Sequence, residues 1–135
     1  MIGGFFSRSS SIVKPLTSSS DRRALAHWRN AVPRAEPINR GTSRPYVVMG
    51  RSYTPMTSHA PYRARGIATW YGRRYHGKQT SSGEIYDMYA MTAAHTTLPI
   101  PSYARVTNLA DGRSVVVRVN DRGPFVGERL IDRAV

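Results

Sequence analysis

Residues 115–125, Val-Val-Val-Arg-Val-Asn-Asp-Arg-Gly-Pro-Phe, restrict the fold of this chain more than any other stretch. Val115, Val117 and Val119 recur at the two-residue period of a β-strand, and Gly123-Pro124 ends it. Upstream, Tyr103, Ala104, Arg105, Val106, Thr107 and Asn108 make a second strand-like run, joined to the first through Ala110-Asp111-Gly112. Two such runs around an Asp-Gly pair predict an antiparallel hairpin. Residues 67–71 read as another strand, and residues 89–94 as a short apolar segment ending at His95. Long amphipathic helices are missing from this half. Short strands with polar, Gly-containing loops predict a mainly β protein, a small barrel or sandwich.

The first half has a different character. Pro33, Pro37, Pro45, Pro55 and Pro61 interrupt it too often for a continuous element. Ser18, Ser19, Ser20 and Asp21 can cap a short helix through Asn30, with Leu25 and Trp28 on one side. Residues 46–53 can form a small hairpin through Gly50. We therefore expect a largely irregular basic arm or linker over 1–63 and a folded domain over 64–135. The formal charge of +12 is uneven, with net +8 in residues 1–64 and +4 in residues 65–135. A basic arm suits an anionic partner such as a membrane, a wall polymer or nucleic acid. No helix-turn-helix, zinc-finger or RNA-recognition signature is present, so specific nucleic-acid binding is not expected.

Cysteine is absent, which excludes disulfides and thiolate metal sites. The four histidines (27, 59, 76 and 95) lack the close spacing of a zinc site, so neither a metal nor a cofactor is expected. The start of the chain does not read as a signal peptide. No apolar run approaches the ~20 residues that a transmembrane helix requires.

Four polar clusters carry the candidate chemistry. Trp70 and Tyr71 follow the first strand; Glu84 and Asp87 lie in a turn-like segment with Tyr86. His95 closes an apolar run, and Asp121 beside Arg122 ends the last strand. Each also has a structural reading. Glu84 and Asp87 suit solvated turns, His95 a satisfied core position, and Trp70 and Tyr71 the core. Asp121 shares the parity of the valines, so if the strand holds its register the carboxylate points inward at the open end, and it can equally cap the turn against Arg122.

Several motifs raise the functional reading. Residues 66–72 (Gly-Ile-Ala-Thr-Trp-Tyr-Gly), 76–80, 83–87 (Gly-Glu-Ile-Tyr-Asp), 91–95, 97–99, 105–109 and 117–125 together resemble the rare lipoprotein A family, in order and spacing, from about residue 64 to 132. Residues 45–55 resemble the short segment that precedes the barrel there. The resemblance implies a small six-stranded double-psi β-barrel, with further strands expected after Asp132, so that 64–135 is expected to be C-terminally incomplete. It also implies a bacterial cell-envelope location, periplasmic or secreted, although this chain shows neither an export signal nor a lipobox cysteine.

The implied activity is that of a lytic transglycosylase acting on peptide-free peptidoglycan strands. Such an enzyme cleaves the MurNAc–GlcNAc bond and leaves a 1,6-anhydroMurNAc end. The residues tied to activity in the family fall on Glu84, His95 and Asp121. The chemistry suits Asp121 as acid/base, with Glu84 and His95 orienting the sugar, and the roles of Glu84 and Asp121 can be exchanged. Trp70, Tyr71, Tyr86, Asp87 and Arg122 are the expected substrate-binding residues. The alternative is a non-catalytic, expansin-like module that binds wall polysaccharide. Oligomeric state is left open.

Overall fold

A computed structural model describes residues 9–15, 31–70, 77–86, 90–125, 127 and 129–133, with backbone only for residues 9–15 and Trp70. Among the described residues there are eight strands: β1 (Ser9–Pro15), β2 (Tyr46–Val48), β3 (Arg51–Tyr53), β4 (Ala64–Trp70), β5 (Thr92–His95), β6 (Ser102–Asn108), β7 (Ser114–Asp121) and β8 (Arg129–Arg133). Six of them close a barrel in the order β1-β4-β8-β5-β7-β6, and β2 with β3 forms a separate hairpin. Two pairs, β4 with β8 and β5 with β7, are parallel, and the remaining barrel pairs are antiparallel. This is a mainly β small barrel, as expected from the sequence, and its sheet is mixed.

The valine alternation explains β7. Val115, Val117 and Val119 face Ala68, Ala93, Leu98, Ile100, Ala104, Val106 and Ile131 in one core. Arg118, on the opposite parity, reaches outward. β6 and β7 pair in register from Ser102 with Val119 to Thr107 with Ser114, as the Asp-Gly signal predicts. The connecting turn is secured by the Asn108 side chain, which accepts from the Ala110 amide, and by the Asp111 side chain, which accepts from the Arg113 amide. Gly66 lets β4 approach β8, since a Cβ there would lie 2.9 Å from Leu130 Cβ.

Residues read from the sequence as arm take part in this structure. β1 pairs antiparallel with both β4 and β6 and so closes the sheet among the described residues. The hairpin through Gly50 is present, with Met49 and Gly50 at φ 52° and 77°. Its Tyr46 and Tyr53 rings stack 5.1 Å apart and both meet the edge of Phe125, at 6.0 and 5.5 Å. Backbone bonds from Ala31 N to Val116 O and from Asn39 N to Ile100 O tie residues 31–39 to the barrel. The helix expected over residues 18–30 lies outside the described residues. No helix among those residues is long and apolar enough to cross a membrane.

Candidate active site

The site forms where β7 ends. Along the parallel β5–β7 pair, Ala93 faces Val119 but Ala94 faces Asp121, so Asn120 is an extra residue in β7. Bulges of this kind re-aim side chains at the end of a strand. Here Asn120 and Asp121 both reach the turn at residues 81–84, one bonding each end of it. The Ser81 amide and hydroxyl donate to Asp121 Oδ1 at 2.9 and 2.6 Å, and the Arg122 amide donates to the same oxygen at 2.8 Å. Among the described residues, Asp121 Oδ2 has no donor. At the other end, Glu84 Oε1 accepts from Arg118 Nη1 at 2.6 Å and, more weakly, from Asn120 Nδ2 at 3.4 Å.

The Arg118 guanidinium is shared. Its Nε and Nη2 donate to the two oxygens of Glu36 at 2.9 and 2.8 Å, and Tyr103 Oη donates to Glu36 Oε2 at 2.7 Å. The bond to Arg118 holds both carboxyls, Glu84 and Glu36, below the ordinary carboxylate range despite partial burial. Glu84 is therefore an anion near neutral pH.

Two hollows flank the 81–84 turn. One of about 480 Å³ is bounded by Glu84, Arg118, Glu36, Tyr103, Met91 and Val32. A second, also about 480 Å³, has Ser81, Arg122, Thr42, Arg44, Tyr46 and Phe125 in its walls. The turn thus places Glu84 on one hollow and Ser81, the partner of Asp121, on the other.

His95 occupies a different environment. It is 1% exposed. Its Nδ1 accepts from the amides of Thr97 and Leu98 at 3.1 and 3.0 Å, so Nε2 carries the proton and donates to Tyr62 Oη at 3.2 Å. Burial, with Arg122 nearby, lowers the imidazole pKa to about 3. The ring is neutral, and in this structure it offers no atom to a sugar. It sets the turn at residues 95–98, whose carbonyls receive the guanidinium of Arg122.

Two expectations about substrate contacts change as a result. Arg122 Nη1 donates to the carbonyls of His95 and Leu98, and Nη2 to that of Thr42 at 2.8 Å. The Arg122 guanidinium is a buried clamp between the barrel and residues 41–43, and its amide, not its charge, serves Asp121. Tyr86 is 2% exposed and has no free ring face for a sugar. Tyr71, Asp87 and the Trp70 side chain lie outside the described residues. Sequence reasoning missed Glu36, Ser81, Tyr103, Arg118 and Asn120. Glu36 had one visible signal, since it and Asp21 are the two acids in residues 1–64.

Residues 63–133 match the family model described as lytic transglycolase. The chain is also 58% identical over 103 residues to a Neisseria meningitidis serogroup A protein named endolytic peptidoglycan transglycosylase RlpA, covering 76% of this chain and 43% of the relative. The chain belongs to the RlpA family. Proteins with the same name are similar in Pseudomonas aeruginosa (48% over 132 residues, 93% of this chain and 39% of the relative) and in Vibrio cholerae (51% over 109 residues, 81% and 41%). This RlpA-family chain spans about two fifths of the length of these relatives.

Proposed function

We propose that this barrel carries a peptidoglycan lytic transglycosylase site in the cell envelope, cutting peptide-free glycan between MurNAc and GlcNAc. The observation that carries the reading is the 81–84 turn, which joins two differently partnered carboxylates, Glu84 on Arg118 and Asp121 on Ser81, between two hollows. The names of the relatives support the substrate class.

Glu84, paired with Arg118, stays ionised and is a poor proton donor near neutral pH. Asp121 is left as the proton carrier. Its Oδ1 is occupied by the donors of Ser81 and Arg122, so Oδ2 is the atom that exchanges a proton with substrate. In the first step Oδ2 gives its proton to the departing glycosidic oxygen as the C1–O bond breaks, and the Glu84 carboxylate, across the 81–84 turn, adds to the negative field that favours the positive charge developing on the sugar ring. In the second, Oδ2 takes the proton of the C6 hydroxyl as O6 bonds to C1. The 1,6-anhydro end forms without water, and the proton lent to the leaving oxygen is returned to Asp121 from the C6 hydroxyl. His95 acts at one remove, through the 95–98 turn and Arg122.

Purified protein incubated with peptide-free glycan strands is expected to release anhydro-muramyl ends, detected by mass spectrometry. Asp121→Asn is expected to lower that release about 10²–10⁴-fold with the fold retained. Equal turnover by this variant would remove Asp121 from the mechanism. Binding to glycan without release by the wild type would favour a binding module instead.

A further inference from the structure

One contact to the candidate site comes from the connection between β1 and β4. Glu36 belongs to the segment before the hairpin, 82 positions from its partner Arg118. We propose that Glu36 is a positioning residue of the site, gripping Arg118 by one edge so that the other edge fixes Glu84 at the wall of its hollow. This rests on the reading of that site as the place where glycan binds.

The geometry makes Glu36 the fixed member. Its segment is tied to the barrel on both sides, by the bonds from Ala31 N to Val116 O at 2.9 Å and from Asn39 N to Ile100 O at 2.7 Å. Tyr103 holds the carboxylate itself from β6. Arg118, by contrast, stands on a long flexible stem on the outer face of β7. A guanidinium is planar, so a two-point grip on Nε and Nη2 also sets the direction of Nη1. That remaining donor is the one that meets Glu84 at 2.6 Å.

The charges favour the same reading. One cation lies between two anions, with the two-point fork on Glu36 and a single donor on Glu84. Without Glu36, Arg118 is free to turn its fork onto both oxygens of Glu84 and draw that carboxylate back from the hollow. Removing Glu36 leaves Arg118 still paired, so no buried charge is orphaned and the fold is expected to survive.

The test uses the full chain with Glu36→Gln and two readouts. The first is the Glu84 carboxyl titration, followed by NMR without glycan, and its midpoint is expected to move down because Arg118 is no longer divided. The second is turnover of peptide-free glycan, where kcat is expected to fall about tenfold with KM within about threefold. Tyr103→Phe keeps both charges but loosens Glu36. It is expected to move kcat the same way by less, and it carries the test if Glu36→Gln does not fold. An unmoved Glu84 titration overturns the proposal, as does a kcat equal to wild type. If the wild type releases no sugar while the titration still moves, the glycan-cleavage reading fails and the coupling of Glu36 to Glu84 stands.

Discussion

Ser81 shows how much of this site is carried by one small side chain. It gives Asp121 two donors and its hydroxyl accepts from the Arg122 amide at 3.3 Å, yet it is exposed and contributes no core. Ser81→Ala removes the hydroxyl contacts and leaves the amide. We expect kcat to drop about tenfold while stability changes by less than about 1 kcal/mol, checked by steady-state turnover beside thermal melts. A loss of activity that merely tracks unfolding would contradict this role for Ser81. At this scale the sequence was a partial guide. Asp121 and Glu84 were visible as acids in turn contexts. The core position of His95 was one of its two readings, whereas the employment of Arg122 on carbonyls was not visible, because it depends on which backbone the fold brings against it.

Among the elements, the β2–β3 hairpin carries a local conflict. Met49 and Gly50 both sit at positive φ, which is the turn that best fits the twist of a two-residue hairpin. Gly50 suits that geometry; Met49 does not, and its side chain is 80% exposed. Met49→Asn is expected to stabilise the protein by about 0.5–1 kcal/mol, read as a rise in Tm of a few degrees. An unchanged or lower Tm would show that the Met49 side chain has a contact worth more than the backbone relief.

β4, β6 and β7 were legible because apolar residues alternate or cluster at strand spacing between turn signals. β1 was not, since Ser-Ser-Ser-Ile-Val-Lys-Pro has no clear period and becomes a strand by pairing with β4 and β6. The extra residue at Asn120 was equally hidden, because register belongs to a pair of strands and not to either one.

For the molecule as a whole, two buried groups pull stability in opposite directions with pH. The folded pKa of His95, about 3, lies below its ordinary 6.5. Its contribution is intact above pH 6.5 and is lost as the pH falls toward 3. Asp132 is 0% exposed, with Arg129 Nη1 3.7 Å away, and burial raises it from 3.8 to about 6. A raised carboxyl acts the other way, so its penalty grows as the pH climbs from about 4 to 6 and is relieved on acidification. Asp132→Asn is expected to add about 2 kcal/mol at pH 7.5 and to steepen the loss of Tm between pH 6 and 4. Parallel Tm curves for variant and wild type would refute the assignment.

The Arg122 clamp bears on how this protein can be dissected. Its guanidinium needs the Thr42 carbonyl, which the residues matched by the family model do not supply. A version trimmed to begin at residue 63 would lose that acceptor, leaving the guanidinium to the carbonyls of His95 and Leu98, and would lose β1 from the barrel as well. The smallest piece worth expressing therefore starts ahead of Ser9, where the strand that closes the barrel begins, and inactivity in a shorter one would say nothing about the chemistry of the barrel.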